Sequence, residues 1–164
     1  MNRSFLFVDS LSSCCSVDCR SRRENIVAMM ALETIGYFSK EENGQKVPEG
    51  LEESFPTTGD FLAFVGNEHS RYFADSARAA FERASGIPAI GGAFPPEVPG
   101  VGWSDHWSFW QEGYKAIMVT DTAPYRYPHY HKSTDTIDKL DLEMLVKVIE
   151  GLEEVVKTWA NPGE

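Results

Sequence analysis

From Asn25 to Phe38 the chain reads Asn-Ile-Val-Ala-Met-Met-Ala-Leu-Glu-Thr-Ile-Gly-Tyr-Phe, an almost unbroken apolar run. It is too uniformly apolar for a half-exposed element, and this predicts a strand covered on both faces. Residues 40–60 hold Gly, Pro and six acids with no period, which predicts a long surface loop. Phe61-Leu-Ala-Phe-Val65 predicts a second buried strand and Ala116-Ile-Met-Val-Thr120 a third. Between them Ser70 can cap a helix whose inner face is Phe73, Ala77, Ala80, Phe81 and Ala84. Gly86, followed by Ile87-Pro88, supplies its stop. Residues 91–102 are rich in Gly and Pro and predict another loop. Asp141 opens a final helix with Leu142, Leu145, Val146, Ile149, Leu152 and Val156 on one stripe. Strands alternating with helices and long crossovers predict an α/β fold with its sheet covered on both sides.

Composition narrows the function. The 164 residues make one ordinary domain, with 42% hydrophobic and 24% charged positions arguing against wholesale disorder. The formal charge of −10 repels phosphate backbones, which excludes a general nucleic-acid binder. No apolar run reaches the roughly 20 residues of a spanning helix. The charge is uneven: residues 1–23 carry Arg3, Arg20, Arg22 and Arg23 against Asp9 and Asp18, and all the remaining excess of acid follows them. Cys14, Cys15 and Cys19 also lie in this first segment. An odd count with no nearby His indicates neither a disulfide framework nor a zinc knuckle. The division expected is an atypical leader over 1–21 and one domain over 22–164. Leu11-Ser-Ser-Cys14 has the outline of a lipoprotein cleavage box, but the apolar stretch before it is short and interrupted by Asp9. The expectation is therefore no export signal and a cytoplasmic chain.

Three places invite chemistry. Glu33 is the only acid between Asn25 and Phe38. A buried carboxylate needs a cation or donors to meet it, so Glu33 is either a metal ligand or a strand-end residue paired with a surface base. His129 and His131 stand in Tyr127-Pro-His-Tyr-His-Lys-Ser-Thr-Asp-Thr136, beyond the third strand, where α/β folds place their sites. Two histidines flanked by Tyr and Asp can supply a zinc ligand with a supporting partner. In Gly102-Trp-Ser-Asp-His-Trp-Ser-Phe-Trp110, Asp105-His106 sits among three tryptophans, and a packed aromatic loop with a satisfied polar pair is the expected reading.

Taken in order, these segments resemble the zinc-dependent aminopeptidases of peptidase family M28. The resemblance rests on Arg23-Glu-Asn-Ile-Val-Ala-Met-Met-Ala-Leu-Glu-Thr-Ile-Gly-Tyr-Phe-Ser39, Gly59-Asp-Phe-Leu-Ala-Phe-Val-Gly-Asn67 and Trp103-Ser-Asp-His-Trp-Ser-Phe109. Ala116-Ile-Met-Val-Thr-Asp121 and Tyr130-His-Lys-Ser-Thr-Asp-Thr136 complete it. It implies a three-layer α/β/α sandwich with a mixed, mostly parallel sheet and a site for two zinc ions. By that resemblance Glu33 and His131 are metal ligands, and Tyr130 helps stabilise the oxyanion of a tetrahedral intermediate. Asp105 would be an acid behind the proton-transfer network, while His69, His106 and His129 match no ligand position. The implied chemistry is peptide hydrolysis at an amino terminus, with zinc polarising the carbonyl and a Glu taking the proton of a bridging water.

The family's His-x-Asp segment, bridging Asp and Glu-Glu pair precede the strand that bears the matching Glu, and residues 1–23 contain no His and no Glu. Glu41-Glu42, Glu52-Glu53 and Glu153-Glu154 lie on the wrong side of that strand. The expectation is therefore the carboxy-terminal part of such a domain, truncated on its N-terminal side and lacking the general base. On this expectation the strands beside that of Glu33 are missing, which leaves a sheet edge open to self-association. The partner expected is a peptide or protein amino terminus. Competing readings are a non-catalytic remnant or interaction module of the same fold, and an aminoacyl transferase of the glutaminyl cyclase type.

Overall fold

The fold is described from a computed structural model, which gives residues 4–8 and 13–160, with side chains from Cys15 onward. The cleavage-box outline at Leu11–Cys14 lies outside the fully described residues. Five strands form one mixed sheet: β1 (Ser4–Val8), β2 (Asn25–Glu33), β3 (Leu62–Gly66), β4 (Ala89–Ala93) and β5 (Ala116–Thr120), in the order β1-β2-β5-β3-β4. β1 and β5 run parallel to β2, β3 runs antiparallel to β5, and β4 runs parallel to β3. Four helices cover it: α1 (Ser13–Ser21), α2 (Arg71–Ser85), α3 (His106–Gln111) and α4 (Leu142–Ala160).

Alternation along the strands sends side chains to two cores. Ala28, Met30, Leu62, Phe64, Ile117 and Val119 pack with Phe73, Ala77 and Phe81 of α2 and Val148, Leu152 and Val155 of α4. Met29, Ala31, Ala63, Val65, Ala116 and Met118 face Cys19 of α1 and Phe109 and Trp110 of α3. This is the three-layer α/β/α sandwich with a mixed, mostly parallel sheet that the sequence implied. A register irregularity places Phe5 opposite Ile26 and Leu6 opposite Ala28, so Val27 is the extra residue of a bulge. It explains why Ile26 joins the α1/α3 core although Ala28, two residues on, joins the other.

Several expectations are corrected. The strand from Asn25 stops at Glu33 rather than running to Phe38, because Thr34 turns left-handed at φ 47°. The segment set apart as a leader contributes β1, which lies along β2, and α1, which packs on α3. The side of β2 expected to be open is therefore paired, and β1 and β4 are the edge strands. β4 runs on into the Gly-Pro stretch read as loop and ends there at Ala93, and the aromatic loop contains α3. Ser70 stands at the start of α2 but makes no side-chain capping bond: its hydroxyl accepts from the Ala116 amide of β5 at 3.1 Å. It is Asn67 that caps the short 3-10 turn leading into α2, accepting from the Ser70 amide at 2.9 Å.

On α4 only part of the expected stripe is inside. Val148, Leu152, Val155 and Trp159 are buried, while Leu142, Val146 and Ile149 are more than half exposed. The inner line follows Gly151, where an added Cβ would stand 2.5 Å from the Phe81 ring, so α2 and α4 approach closely there. Asp141 caps α4 as expected, accepting from the Met144 amide at 3.0 Å. Among the described residues no helix is long and apolar enough to cross a membrane.

Candidate active site

Glu33 is the last residue of β2 and stands opposite Thr120, the last residue of β5. These two ends open onto a cleft of about 660 Å³ of space not filled by atoms, to which Glu33 contributes the one carboxylate. Its walls come from two stretches the sequence shows only as loops. One supplies Pro48, Leu51 and Phe55, the other Phe94, Val98 and Trp103, while Val65 and Met118 line it from the sheet. Glu33 is half-buried and, among the described residues, forms no ion pair and accepts no side-chain hydrogen bond. Of its two sequence readings, pairing with a surface base is therefore not what the structure shows.

Tyr130 lines the same cleft. Burial, and then the charge of Glu33, pushes its phenol up from the ordinary value, so it stays protonated at neutral pH. The His131 ring stacks on it, centroids 3.9 Å apart and planes 17° apart, and the His131 backbone is left-handed at φ 55°. The His131 side chain is exposed and hydrogen-bonded to nothing among the described residues. Glu33, Tyr130 and His131 are thus brought to one end of the sheet.

Asp105 is not brought there. It precedes α3 as a half-buried residue without a side-chain capping bond and does not line the cleft. Its neighbour His106 is fully buried: its Nε2 lies 2.7 Å from the Val101 carbonyl, its ring meets Trp110 edge-on, and Nδ1 has no hydrogen-bond partner among the described residues. The Nε2 therefore carries the hydrogen, and burial holds the ring neutral with a pKa of about 4. His129 pairs with the Thr134 hydroxyl at 2.9 Å, in keeping with a structural role.

Sequence reasoning gave no role to Asp121, the residue that ties this end together. It is 1% exposed and follows β5 directly. One carboxylate oxygen accepts from the amides of Gly36 at 3.1 Å and Tyr37 at 2.9 Å; the other accepts from Ala123 at 3.1 Å. Its own amide donates to the Thr34 carbonyl at 2.7 Å. Burial pushes its carboxyl above the usual range, against the pull of these donors and of Arg126. The only hint in the chain was an acid directly after a buried strand.

Arg126 continues the framework. Its buried guanidinium donates to Gln45 at 2.8 Å and to the Phe61 carbonyl at 2.9 Å, and lies over the Phe61 ring. Burial brings its pKa down to about 10. Gln45 in turn donates to the Thr122 hydroxyl at 2.9 Å, so the loop over 40–60 is pinned to the segment after β5. Farther along, Tyr127 donates to Asp135 at 2.7 Å, and burial together with that bond pushes its phenol up to about 12.

The metal question is one of donor number. Among the described residues no three His, Cys, Asp or Glu side chains cluster to hold an ion. Glu33 and His131 are two free donors, fewer than the three or four protein ligands of ordinary zinc sites.

Residues 13–156 match the sequence profile of Peptidase family M28. An uncharacterized protein of Escherichia coli (strain K12), YfbL, is 33% identical over 138 residues, covering 84% of this chain and 43% of its own length. The chain thus spans less than half of that relative. The LapA aminopeptidase of Legionella pneumophila superposes with a TM-score of 0.63 at 16% identity, over 91% of this chain and 35% of LapA. The aminopeptidase of Aneurinibacillus sp. strain AM-1 gives 0.58 at 25% identity, over 93% of this chain and 30% of that one. The matched stretch runs from α1 into α4 and includes every strand end that frames the cleft; this chain is a member of peptidase family M28.

Proposed function

We propose that the chain forms the substrate-binding part of an aminopeptidase-type hydrolase, whose cleft takes the amino-terminal residue of a peptide. The observation that carries this reading is a single unpaired carboxylate, Glu33, in a mostly apolar cleft whose lining also includes Gln45 and one cation, Lys46. A free α-ammonium or a metal ion would meet Glu33, while the apolar walls would accept a large hydrophobic side chain. Tyr130, kept protonated in the cleft wall, would donate a hydrogen bond to developing negative charge on the substrate oxygen. Asp105 lies outside the cleft wall and takes no part in this reading.

Zinc enters with a restriction. Glu33 and His131 are the residues that would hold it, but two donors bind zinc weakly. A complete site would need further ligands and a general base besides these two residues. The two-donor set favours a second reading, a non-catalytic binding module of the same fold. Metal-dependent peptidase turnover by the purified 164-residue chain rules that module out.

The test uses two small probes, L-phenylalanine amide and L-aspartic acid α-amide, titrated by NMR with a parallel calorimetric zinc titration. The phenylalanine probe should perturb Phe55, Phe94 and Val98 and bind about tenfold tighter than the acidic one. Glu33→Gln should weaken it roughly tenfold, the loss of one charge-assisted contact. Equal binding of both probes, or indifference to Glu33→Gln, would sink the proposal. Tight zinc binding near two equivalents would mean that the chain completes its own ligand set, in favour of an active enzyme.

A further inference from the structure

We infer that Asp121 is a positioning residue of this site: its carboxylate fastens the turn after Glu33 to the turn after β5 and thereby fixes where Glu33 and the cleft wall stand. This rests on the reading of the cleft given above.

Three observations carry it. First, all three amides that Asp121 accepts belong to these two turns, Gly36 and Tyr37 after β2 and Ala123 after β5. None belongs to a strand or a long helix, so the carboxylate joins loops rather than reinforcing the sheet. Second, the backbone is strained where the clamp acts. Five non-glycine residues among those described have positive φ: Arg23, Thr34, Asn43, Thr122 and His131. Thr34 directly follows Glu33, Thr122 directly follows Asp121, and His131 is a candidate ligand. A β-branched residue seldom adopts this conformation unless its surroundings impose it, and such strain gathers at functional sites. Third, Thr34 is held from both sides. Its carbonyl accepts the Asp121 amide, and its hydroxyl donates to the Glu33 carbonyl at 2.7 Å while lying 3.5 Å from the Thr120 hydroxyl.

The consequence is directional. Without the clamp Thr34 relaxes out of the left-handed region, the turn swings, and Glu33 shifts at the strand end. On the other side Ala123, in the cleft wall, loses its anchor, while Thr122 keeps its bonds to Gln45 and Thr120. A glycine at 34 adopts the left-handed turn without strain and should keep it even when the clamp is gone.

The experiment compares wild type, Asp121→Asn, Thr34→Gly and the double variant in the full chain. Three readouts are taken: amide exchange at Gly36, Tyr37 and Ala123, affinity for L-phenylalanine amide, and the thermal midpoint. Asp121→Asn replaces one acceptor oxygen by a donor, and should speed exchange at one or both turns and weaken the probe by about tenfold. Thr34→Gly in that background should return probe affinity to within about threefold of wild type while the midpoint stays low. A purely structural acid would lower the midpoint and leave the probe affinity of folded molecules unchanged; that result, or failure of Thr34→Gly to restore anything, overturns the inference. If the wild-type chain does not bind the probe, the peptidase reading fails, and the clamp is judged by exchange alone. Unchanged protection at all three amides in Asp121→Asn then overturns it. Should Asp121→Asn not fold, Thr34→Gly alone decides: intact clamping leaves the probe affinity within about twofold, and a larger loss overturns the inference.

Discussion

The two faces of the sheet are built on different terms. On one, α2 and α4, of 15 and 19 residues, lay long helical stripes over Ala28, Met30, Leu62, Phe64, Ile117 and Val119. On the other, α1 and α3 have 9 and 6 residues, and much of the cover comes from irregular segments carrying Phe55, Phe94, Val98 and Val101. The regular face fills its space, with Phe81 fully buried and so close to α4 that only glycine fits at 151. The irregular face leaves a cleft. Regular packing leaves little room for a ligand, whereas segments held at a few polar points enclose one. Stability and chemistry therefore divide across the sheet.

The largest test of this division is Phe81→Ala. Removing a fully buried ring from the α2/α4 face should cost about 3–5 kcal/mol in urea unfolding, with little change in the probe affinity of the folded fraction. A loss of affinity matching the loss of stability would show that the two faces are not separable.

Next comes His106 on the irregular face. Its folded pKa of about 4 lies below the value near 6.5 of an unfolded histidine. As pH falls the unfolded chain takes up the proton first, so the contribution is full above pH 6.5 and is lost on the way down to pH 4. The stability gap between wild type and His106→Gln should narrow by about 3 kcal/mol across that window, read from urea midpoints at each pH. A constant gap would mean that the ring is not held neutral, and that α3 and the Val101 turn are looser than drawn.

The smallest effect is expected on the outer side of α4. Val146 is 56% exposed, and Val146→Ser should change stability by no more than about 0.5 kcal/mol. A larger loss would indicate that this stripe is covered in solution, and would give α4 an inner face on both sides.

The regular face is also what the chain spells out locally. The period of Phe73, Ala77, Ala80 and Phe81, the stop at Gly86 and the cap at Asp141 all act within a few residues, and they predict both ends of α2 and the start of α4 within one residue. Buried apolar runs likewise mark β2, β3 and β5. The errors arise where distant residues decide. Glu33 reads as interior to a strand because the turn that ends it is imposed by Asp121, 85 residues beyond Gly36. The cleft was invisible because Pro48, Leu51, Phe94 and Val98 are scattered among acids, glycines and prolines and converge only when the two segments fold over the sheet. On α4 the period was right, but the packing of Phe81 against Gly151 selects Val148 and Val155 over Val146 and Ile149. Glu33 and Tyr130, chosen by resemblance, do share the cleft; Asp105, chosen in the same way, does not line it.

The strand order carries a consequence for the time course of folding. β3, α2 and β4 form one contiguous stretch whose parallel strands pair after a short crossover, so this unit needs only local encounters. β2 and β5 are adjacent in the sheet, yet Thr34 and Thr120 at their ends are 86 residues apart. Closing that long loop is entropically costly and slows the search. The helix-covered half can thus assemble early, while the strand ends that frame the cleft meet only at the end. A chain caught midway would be substantially helical, resistant to exchange around α2, and still unable to hold a ligand.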